Sequence, residues 1–381
     1  RDGRTIEDTV YIATLLEKAG IDGLHVSMGT YGAPDSIIPP AGSEPGRAIR
    51  YAEAVKQAVS IPVFAVNRIS EPGMAENILR MGRADAVVMG RGSLADPHLP
   101  AKVMEGRLED VRRCIGCMQG CVGNLHKLDG IACLVNPELG YEEKQECRPA
   151  REKKKVVVIG GGIAGMQAAV TARTRGHEVS LYEASSKLGG QFALACVPPE
   201  KGNLASETAW LTGQLKRTGV EVHLNTRVTR ELVLEQKPDA VVIATGSRAV
   251  VPPIPGIDGP KVVLAAQVLS GEVRCGQKVL IAGGGSVGAE TADFLGDYGH
   301  QVTVLDMLPT IAADEGARRY KLMLALERQK ARLLPGSRLV SINGGDVSYE
   351  REGRTITESF DTIVLALGVR ADNSLADEIK G

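Results

Sequence analysis

Four cysteines, Cys114, Cys117, Cys121 and Cys133, fall within twenty positions in the spacing C-x2-C-x3-C-x11-C. Three thiols on one short loop, with a fourth returning after a brief excursion, suit a single metal centre, either a [4Fe-4S] cluster or a zinc ion. The chain has seven cysteines, an odd number. That fits metal ligation in a reducing, cytoplasmic setting better than a disulfide framework, and Cys147, Cys196 and Cys275 read as structural. A second chemistry is written in glycine. Gly160, Gly162 and Gly165 form a Gly-x-Gly-x-x-Gly run between the apolar Val156 to Ile159 and a helical stretch, and Glu183 ends the next apolar run. Gly283, Gly285, Gly288 and Asp306 repeat the arrangement. Such glycines allow a tight turn, bring a pyrophosphate onto backbone N–H groups and let helix pack on strand, while the acid takes ribose hydroxyls. Each half therefore reads as a dinucleotide site. Asp306 would repel a 2′-phosphate, and Met307 follows it rather than an arginine, so NAD is favoured over NADP at the second site. Arg318 and Arg319 lie later and could swing in.

The elements that hold these residues follow from pattern. Lys155 to Glu183 aligns without a gap on Lys278 to Asp306, at an offset of 123 with ten identities, so one strand–turn–helix–strand unit is duplicated. Before it, the charged, Pro149-containing stretch 142–155 reads as a linker. The first hundred residues alternate helix and strand. Thr5 and Asp8 resemble a capping box, Gly20 stops the helix, and strands are predicted at 23–27, 62–66 and 85–89, each followed by a helical stretch. Three such units match the last three-eighths of an eight-unit barrel of roughly 250 residues; a small open α/β domain is the alternative. Val66-Asn67-Arg68 and Met89-Gly90-Arg91 close two of these strands, so Arg68, Gly90 and Arg91 sit at the C-terminal face where a phosphate site is expected. His25 reads as a core histidine.

Composition sets outer bounds. The 381 residues carry 45 Lys plus Arg against 46 Asp plus Glu, a net charge of −1. No basic footprint for nucleic acid or an anionic membrane surface exists. The longest uncharged run, 156–172, is broken by glycines and is no membrane span. Glycine, 45 of 381, is about 12% of the chain against an average near 7%. The chain starts at Arg1 within an ongoing pattern and stops at Gly381, so both ends read as cut.

Leu188-Gly189-Gly190-Gln191 after the first acid, and Ala244-Thr245-Gly246 at the end of a later strand, resemble the flavoproteins of the disulfide-reductase type with two dinucleotide-binding domains. That resemblance implies FAD in the first unit and the nicotinamide cofactor in the second, with Ala366-Leu367-Gly368 returning the chain to the FAD domain. The dithiol many of these enzymes carry is missing, since Cys196 stands alone. Barrel end, cysteine spacing with Leu134-Val135-Asn136-Pro137 after it, and tandem nucleotide units together resemble NADH:flavin oxidoreductases of the old yellow enzyme superfamily, in their multidomain form. Their relatives include 2,4-dienoyl-CoA reductase, 2-enoate reductase and trimethylamine dehydrogenase.

The resemblance implies an α/β chain: the C-terminal part of a TIM barrel (1–112), an iron–sulfur loop and linker (113–150), a Rossmann-like FAD domain (151–270, resuming about 369–381) and an NAD domain (271–368). It also implies FMN at the barrel mouth, held by Arg68, Gly90 and Arg91, and electron flow from NADH through FAD and a [4Fe-4S] cluster to FMN and an activated C=C bond. A flavin neighbour favours the cluster over zinc, which accepts no electrons. Thr30-Tyr31 stands where dienoyl-CoA reductases place a Trp-His pair, so Tyr31 is the candidate donor to a substrate carbonyl, with a wall of the flavin pocket as its other role. The alternatives are an amine dehydrogenase of the trimethylamine type and an electron-transfer module like the glutamate synthase small subunit. The expected partners are NADH and a small unsaturated substrate, with a homo-oligomer compatible.

Overall fold

The computed structural model describes residues 3–30, 32, 34–143 and 147–380. The chain divides into two compact units, Arg1–Glu146 and Cys147–Gly381. No helix among the described residues is long and apolar enough to cross a membrane.

In the first unit α1 (Ile6–Lys18) begins at the capping box: Asp8 N–H donates to Thr5 Oγ1 at 3.2 Å and Thr5 N–H to Asp8 Oδ2 at 3.0 Å. Gly20, at φ +90°, turns the chain out of the helix. Then follow β1 (Leu24–Val26), α2 (Pro34–Ile37), α3 (Ile49–Lys56), β2 (Val63–Ala65), α4 (Pro72–Arg80), β3 (Ala86–Val87), α5 (Gly90–Ala95), α6 (Leu99–Met104) and the short α7 (Asn124–His126). The strands form a parallel sheet in the order β1-β2-β3, as the alternation of helix and strand requires. One face is buried: Val26, Val63 and Ala65 pack with Ala13, Ile49, Ala52 and Val55 of the helices. His25 pairs with Phe64 across β1 and β2 on the face away from these helices, because successive strand residues point to opposite faces and Val26 takes the helix-covered one.

The second unit contains β4 (Lys155–Ile159), α8 (Ile163–Thr174), β5 (Glu178–Tyr182), α9 (Gly190–Ala195), α10 (Ala205–Thr218), β6 (Glu221–His223), α11 (Arg230–Gln236), β7 (Ala240–Ile243) and β8 (Ser247–Ala249). Its first sheet is parallel, in the order β6-β5-β4-β7. Met166 and Ala169 of α8 and Leu211 and Leu215 of α10 cover one face, on Val156, Val158 and Leu181. Val233 of α11 covers the other, on Val157 and Ile159. The chain continues through β9 (Val262–Leu264), α12 (Ala265–Ser270), β10 (Lys278–Ala282), α13 (Ser286–Asp297), β11 (Gln301–Leu305), α14 (Arg319–Arg328), β12 (Arg332–Leu334), the antiparallel β13 (Ser337–Asn343), β14 (Asp346–Arg351) and β15 (Arg354–Ser359), then β16 (Thr362–Leu365), β17 (Val369–Ala371) and α15 (Ser374–Lys380).

The second sheet is β12-β11-β10-β16-β9. Val279 to Ala282 are buried on both faces, under helices on one side and the antiparallel sheet on the other, so the run shows no polar alternation. β9 pairs with β16 in this sheet. A strand that precedes the second fingerprint thus shares its sheet, where parallel pairing to β16 half-buries Val262, Val263 and Leu264. β17 returns to pair antiparallel with β8.

Glu358 ties the antiparallel sheet to β12. Arg332 grips it with two N–H groups at 2.6 and 2.9 Å, and the Tyr349 hydroxyl donates at 2.6 Å. The Arg332 guanidinium and the Tyr349 hydroxyl together pull the Glu358 carboxyl down from 4.5 to about 2. A lowered folded pKa makes this contribution complete above about 4.5 and lost as pH falls through about 2. Glu358→Gln is expected to cost about 1–3 kcal/mol at neutral pH, with the difference from wild type closing between those limits in melting curves.

Candidate functional site

β4 hands the chain to Gly160 at φ +109°. A Cβ there would stand 2.2 Å from Ala244 O, and one at Gly165 would stand 1.9 Å from Gly160 O, so neither position admits a side chain. Gly162 precedes α8, and a Cβ on it would meet no described atom within 4 Å. The helix start is therefore open, as an anion-accepting turn requires. Glu183 closes the loop from below: Gly161 N–H donates to one oxygen at 2.6 Å and Ser185 N–H to the other at 2.7 Å. A carboxylate has about four acceptor sites, so ribose hydroxyls still find room. Gly190, at φ +51°, packs against Gly162, where its Cβ would stand 3.2 Å from the Gly162 Cα. The Gln191 amide donates to Ser247 O at 2.7 Å and accepts from Ser247 Oγ at 3.1 Å. Ala244 N–H donates to Ile159 O at 2.8 Å, and Thr245 Oγ1 donates to Asp372 O at 2.9 Å. Gly246 turns at φ +77°. Every residue named for the first unit thus converges on one cradle. Asp372 joins it unforeseen, with Arg248 at 2.7 Å, because its place depends on the return of β17 to β8.

The second unit repeats these contacts. A Cβ at Gly283 would lie 2.3 Å from Ala366 O and one at Gly288 would lie 1.8 Å from Gly283 O. Asp306 accepts from the N–H groups of Gly284 and Leu308. Gly285 immediately precedes α13. The two later arginines are both engaged. Arg318 is buried, donating to Glu290 at 2.7 Å, Glu315 at 3.1 Å and Pro199 O at 2.9 Å. Arg319 donates to Ile311 O at 3.0 Å. Arg318, held by two carboxylates, is committed away from a 2′-phosphate beside Asp306. We expect kcat/KM for NADH to exceed that for NADPH by at least about tenfold, or 1.4 kcal/mol; equal values would contradict the assignment.

The cysteine loop is shaped by unusual backbone. Gly116 (φ +69°) and Met118 (φ +59°) are left-handed, and Gln119–Gly123 winds as a π-helix, a form often found at functional sites. Ala132 N–H donates to Gly120 O at 2.8 Å, and a Cβ at Gly120 would stand 2.6 Å from Ala132 O. This close backbone pairing brings Cys121 and Cys133 to one place. All four thiols are half-buried and free of disulfides. Burial pushes the Cys117 thiol up to about 11 and raises Cys114 as well, and charge on the other thiols of the set acts in the same direction. Gly116 N–H points at Cys114 Sγ at 3.4 Å. Among the described residues, no group of three or more His, Cys, Asp or Glu could hold a single metal ion as it stands.

Arg68 and Arg91 meet the segment 39–43 that abuts this loop. Arg68 donates to Ser43 O and Arg91 to Pro39 O at 2.9 Å. Ala41 N–H donates to Gly116 O at 2.8 Å, and a Cβ at Gly116 would stand 3.3 Å from the Arg68 guanidinium. Gly90 starts α5 with open space where its Cβ would be. Asn67, which spacing alone did not single out, is held at φ +99° and is buried, its amide donating to Ser36 O at 3.1 Å while Oδ1 has no partner among the described residues. A left-handed non-glycine residue with an orphaned buried acceptor makes Asn67 a candidate for a functional position. Tyr31 lies outside the described residues.

Residues 154–381 match the family described as pyridine nucleotide-disulphide oxidoreductase, and residues 1–110 match the NADH:flavin oxidoreductase / NADH oxidase family. A bilirubin reductase of Mediterraneibacter gnavus is 38% identical over 97% of this chain and 58% of its own. An NADH oxidase of Thermoanaerobacter brockii is 40% identical over 96% of this chain and 58% of its own. A solved 2-naphthoyl-CoA reductase–2-naphthoyl-CoA complex superposes with a TM-score of 0.94 at 32% identity, covering 99% of this chain and 58% of that one. The chain therefore spans less than two thirds of the length of these relatives. It belongs to the pyridine nucleotide-disulphide oxidoreductase family over its second unit, joined to a segment of the NADH:flavin oxidoreductase / NADH oxidase family.

Proposed function

We propose that the chain belongs to an NADH-dependent flavin and iron–sulfur oxidoreductase that reduces an activated C=C bond in an enoate, enone or enoyl-CoA ester. What supports this most is one observation: two nucleotide cradles of the same construction in one unit, on a chain that also carries a four-thiol loop beside barrel-strand arginines. When bound, the cofactors supply the redox chemistry: NADH the hydride, FAD the conversion of an electron pair to single electrons, a [4Fe-4S] cluster their passage, and FMN the delivery to the β-carbon.

The chain's own residues bind and orient. Gly160, Gly162, Gly165 and Gly190 leave room for the FAD diphosphate, and Glu183 takes its ribose. Gln191 and the Ala244-Thr245-Gly246 turn hold the neighbouring backbone in place. Gly283, Gly285, Gly288 and Asp306 do the same for NADH. Cys114, Cys117, Cys121 and Cys133 would hold the cluster as thiolates, giving up their protons to solvent as ligating thiols must. Flavin neighbours favour the cluster over zinc, which accepts no electrons. Arg68, Arg91 and the Gly90 backbone take the FMN phosphate, and the Asn67 carbonyl accepts a hydroxyl. The Tyr31 hydroxyl donates to the substrate carbonyl.

The test is turnover of a panel of enoates, enones and enoyl-CoA esters by the full, anaerobically prepared enzyme with NADH. Reduction of at least one class is expected. Inactivity on every olefin together with oxidation of an amine would replace this function by amine dehydrogenation.

A further inference from the structure

The duplication runs further than the fingerprints. Continued at the same offset of 123, it sets Leu188-Gly189-Gly190-Gln191 against Ile311-Ala312-Ala313-Asp314. The two stretches share no identical residue, yet they are built alike. Gly189 N–H donates to Gly161 O at 2.8 Å, and Ala312 N–H to Gly284 O at 2.7 Å. A Cβ at Gly161 would stand 2.6 Å from Leu188, and one at Gly284 would stand 2.5 Å from Ile311. Gly189 and Ala312 are both left-handed, at φ +113° and +53°.

At the fourth position the halves part. Gln191 is neutral and turns to Ser247, leaving the start of α8 uncovered. Asp314 turns onto the start of α13: Ser286 N–H donates to its Oδ1 at 2.9 Å, and its carboxylate stands 3.5 Å from where a Gly285 Cβ would be. The N-terminus of a fingerprint helix attracts an anion through its unpaired N–H groups and dipole, and a dinucleotide diphosphate uses those same groups. A carboxylate and a diphosphate cannot both take them. Asp314 is exposed, whereas Ile311 and Ala312 behind it are buried, so the side chain can leave for water while the loop stays anchored.

We infer that Asp314 is a built-in competitor for the dinucleotide diphosphate at the second site, occupying the helix start in the free protein and setting how tightly the nucleotide binds. The inference rests on the second unit being the NADH site. Gln191 at the equivalent place in the first unit offers no such competition, so the two cradles are tuned apart: one retains its nucleotide and the other exchanges it.

Asp314→Asn keeps the oxygen that accepts from Ser286 and removes the charge. Calorimetric titration of the FAD-loaded protein with NAD⁺, ADP-ribose and adenosine, none of which can reduce the flavin, reads the effect without turnover. Competition of this kind corresponds to roughly two- to five-fold in affinity for the diphosphate ligands, so NAD⁺ and ADP-ribose are expected to bind that much tighter to the variant while adenosine is unchanged. Asp314→Ala, which gives up the helix cap as well, is expected to shift in the same direction. Unchanged or weakened ADP-ribose binding by Asp314→Asn, or an equal gain for adenosine, overturns the inference and leaves the NADH site standing. Failure of NAD⁺ and ADP-ribose to bind either protein overturns that site and the inference with it.

Discussion

Gly288→Ala is expected to leave FAD in place and to abolish NADH binding, while Gly165→Ala is expected to do the reverse damage and yield protein without FAD. The added methyl would stand 1.8 Å from Gly283 O in one case and 1.9 Å from Gly160 O in the other. Both obstacles are backbone atoms at the junction of strand and helix, so no rotamer change relieves them. The helix must move off the sheet, and its start then no longer presents N–H groups at the turn. A weakening of at least a hundredfold, about 2.7 kcal/mol, is the expected scale for nucleotide binding at the altered site. Flavin content after desalting and NADH affinity by calorimetry separate the two. A Gly288→Ala protein that binds NADH normally would show that the second cradle is not where the nicotinamide cofactor sits.

Cys121→Ala and Cys133→Ala are expected to reduce iron from about four atoms per chain to near zero without loss of FAD. The two thiols are brought together by the Gly120–Ala132 backbone contact, so each variant removes one ligand and leaves the loop's hydrogen bond intact. The nucleotide cradles lie in a separate compact unit, and NADH should still bleach FAD. Olefin reduction should fall below detection. Stoichiometric zinc without iron in the wild type would overturn the cluster assignment.

The glycine turns were legible because they answer a hard steric rule: only glycine survives where Ala244 O or Ala366 O approaches within 2.3 Å of a would-be Cβ. The Thr5 capping box and the parallel units of the first sheet were legible for a similar reason, since local hydrogen bonding and apolar period decide them. What sequence missed depends on distant pairing. β9 joins a sheet completed by β16 about a hundred residues later, so its membership is invisible from neighbouring residues. Asn67 carries its signal only in backbone conformation. The longer duplication was hidden because Leu188/Ile311 and Gly189/Ala312 preserve shape and hydrogen bonding without identity. Arg318 looked available for a phosphate, but Glu290, 28 residues earlier on α13, holds it.

The central claim is that electrons enter this chain from NADH through FAD and reach the four-cysteine centre. Anaerobic titration of the iron-loaded enzyme with NADH, followed by flavin absorbance and by electron paramagnetic resonance, tests it directly. The account predicts bleaching of the flavin together with the signal of a reduced iron–sulfur cluster, and loss of that signal but not of the bleaching in Cys121→Ala. Flavin and cluster both left oxidised by NADH, yet reduced on adding an amine, would contradict it.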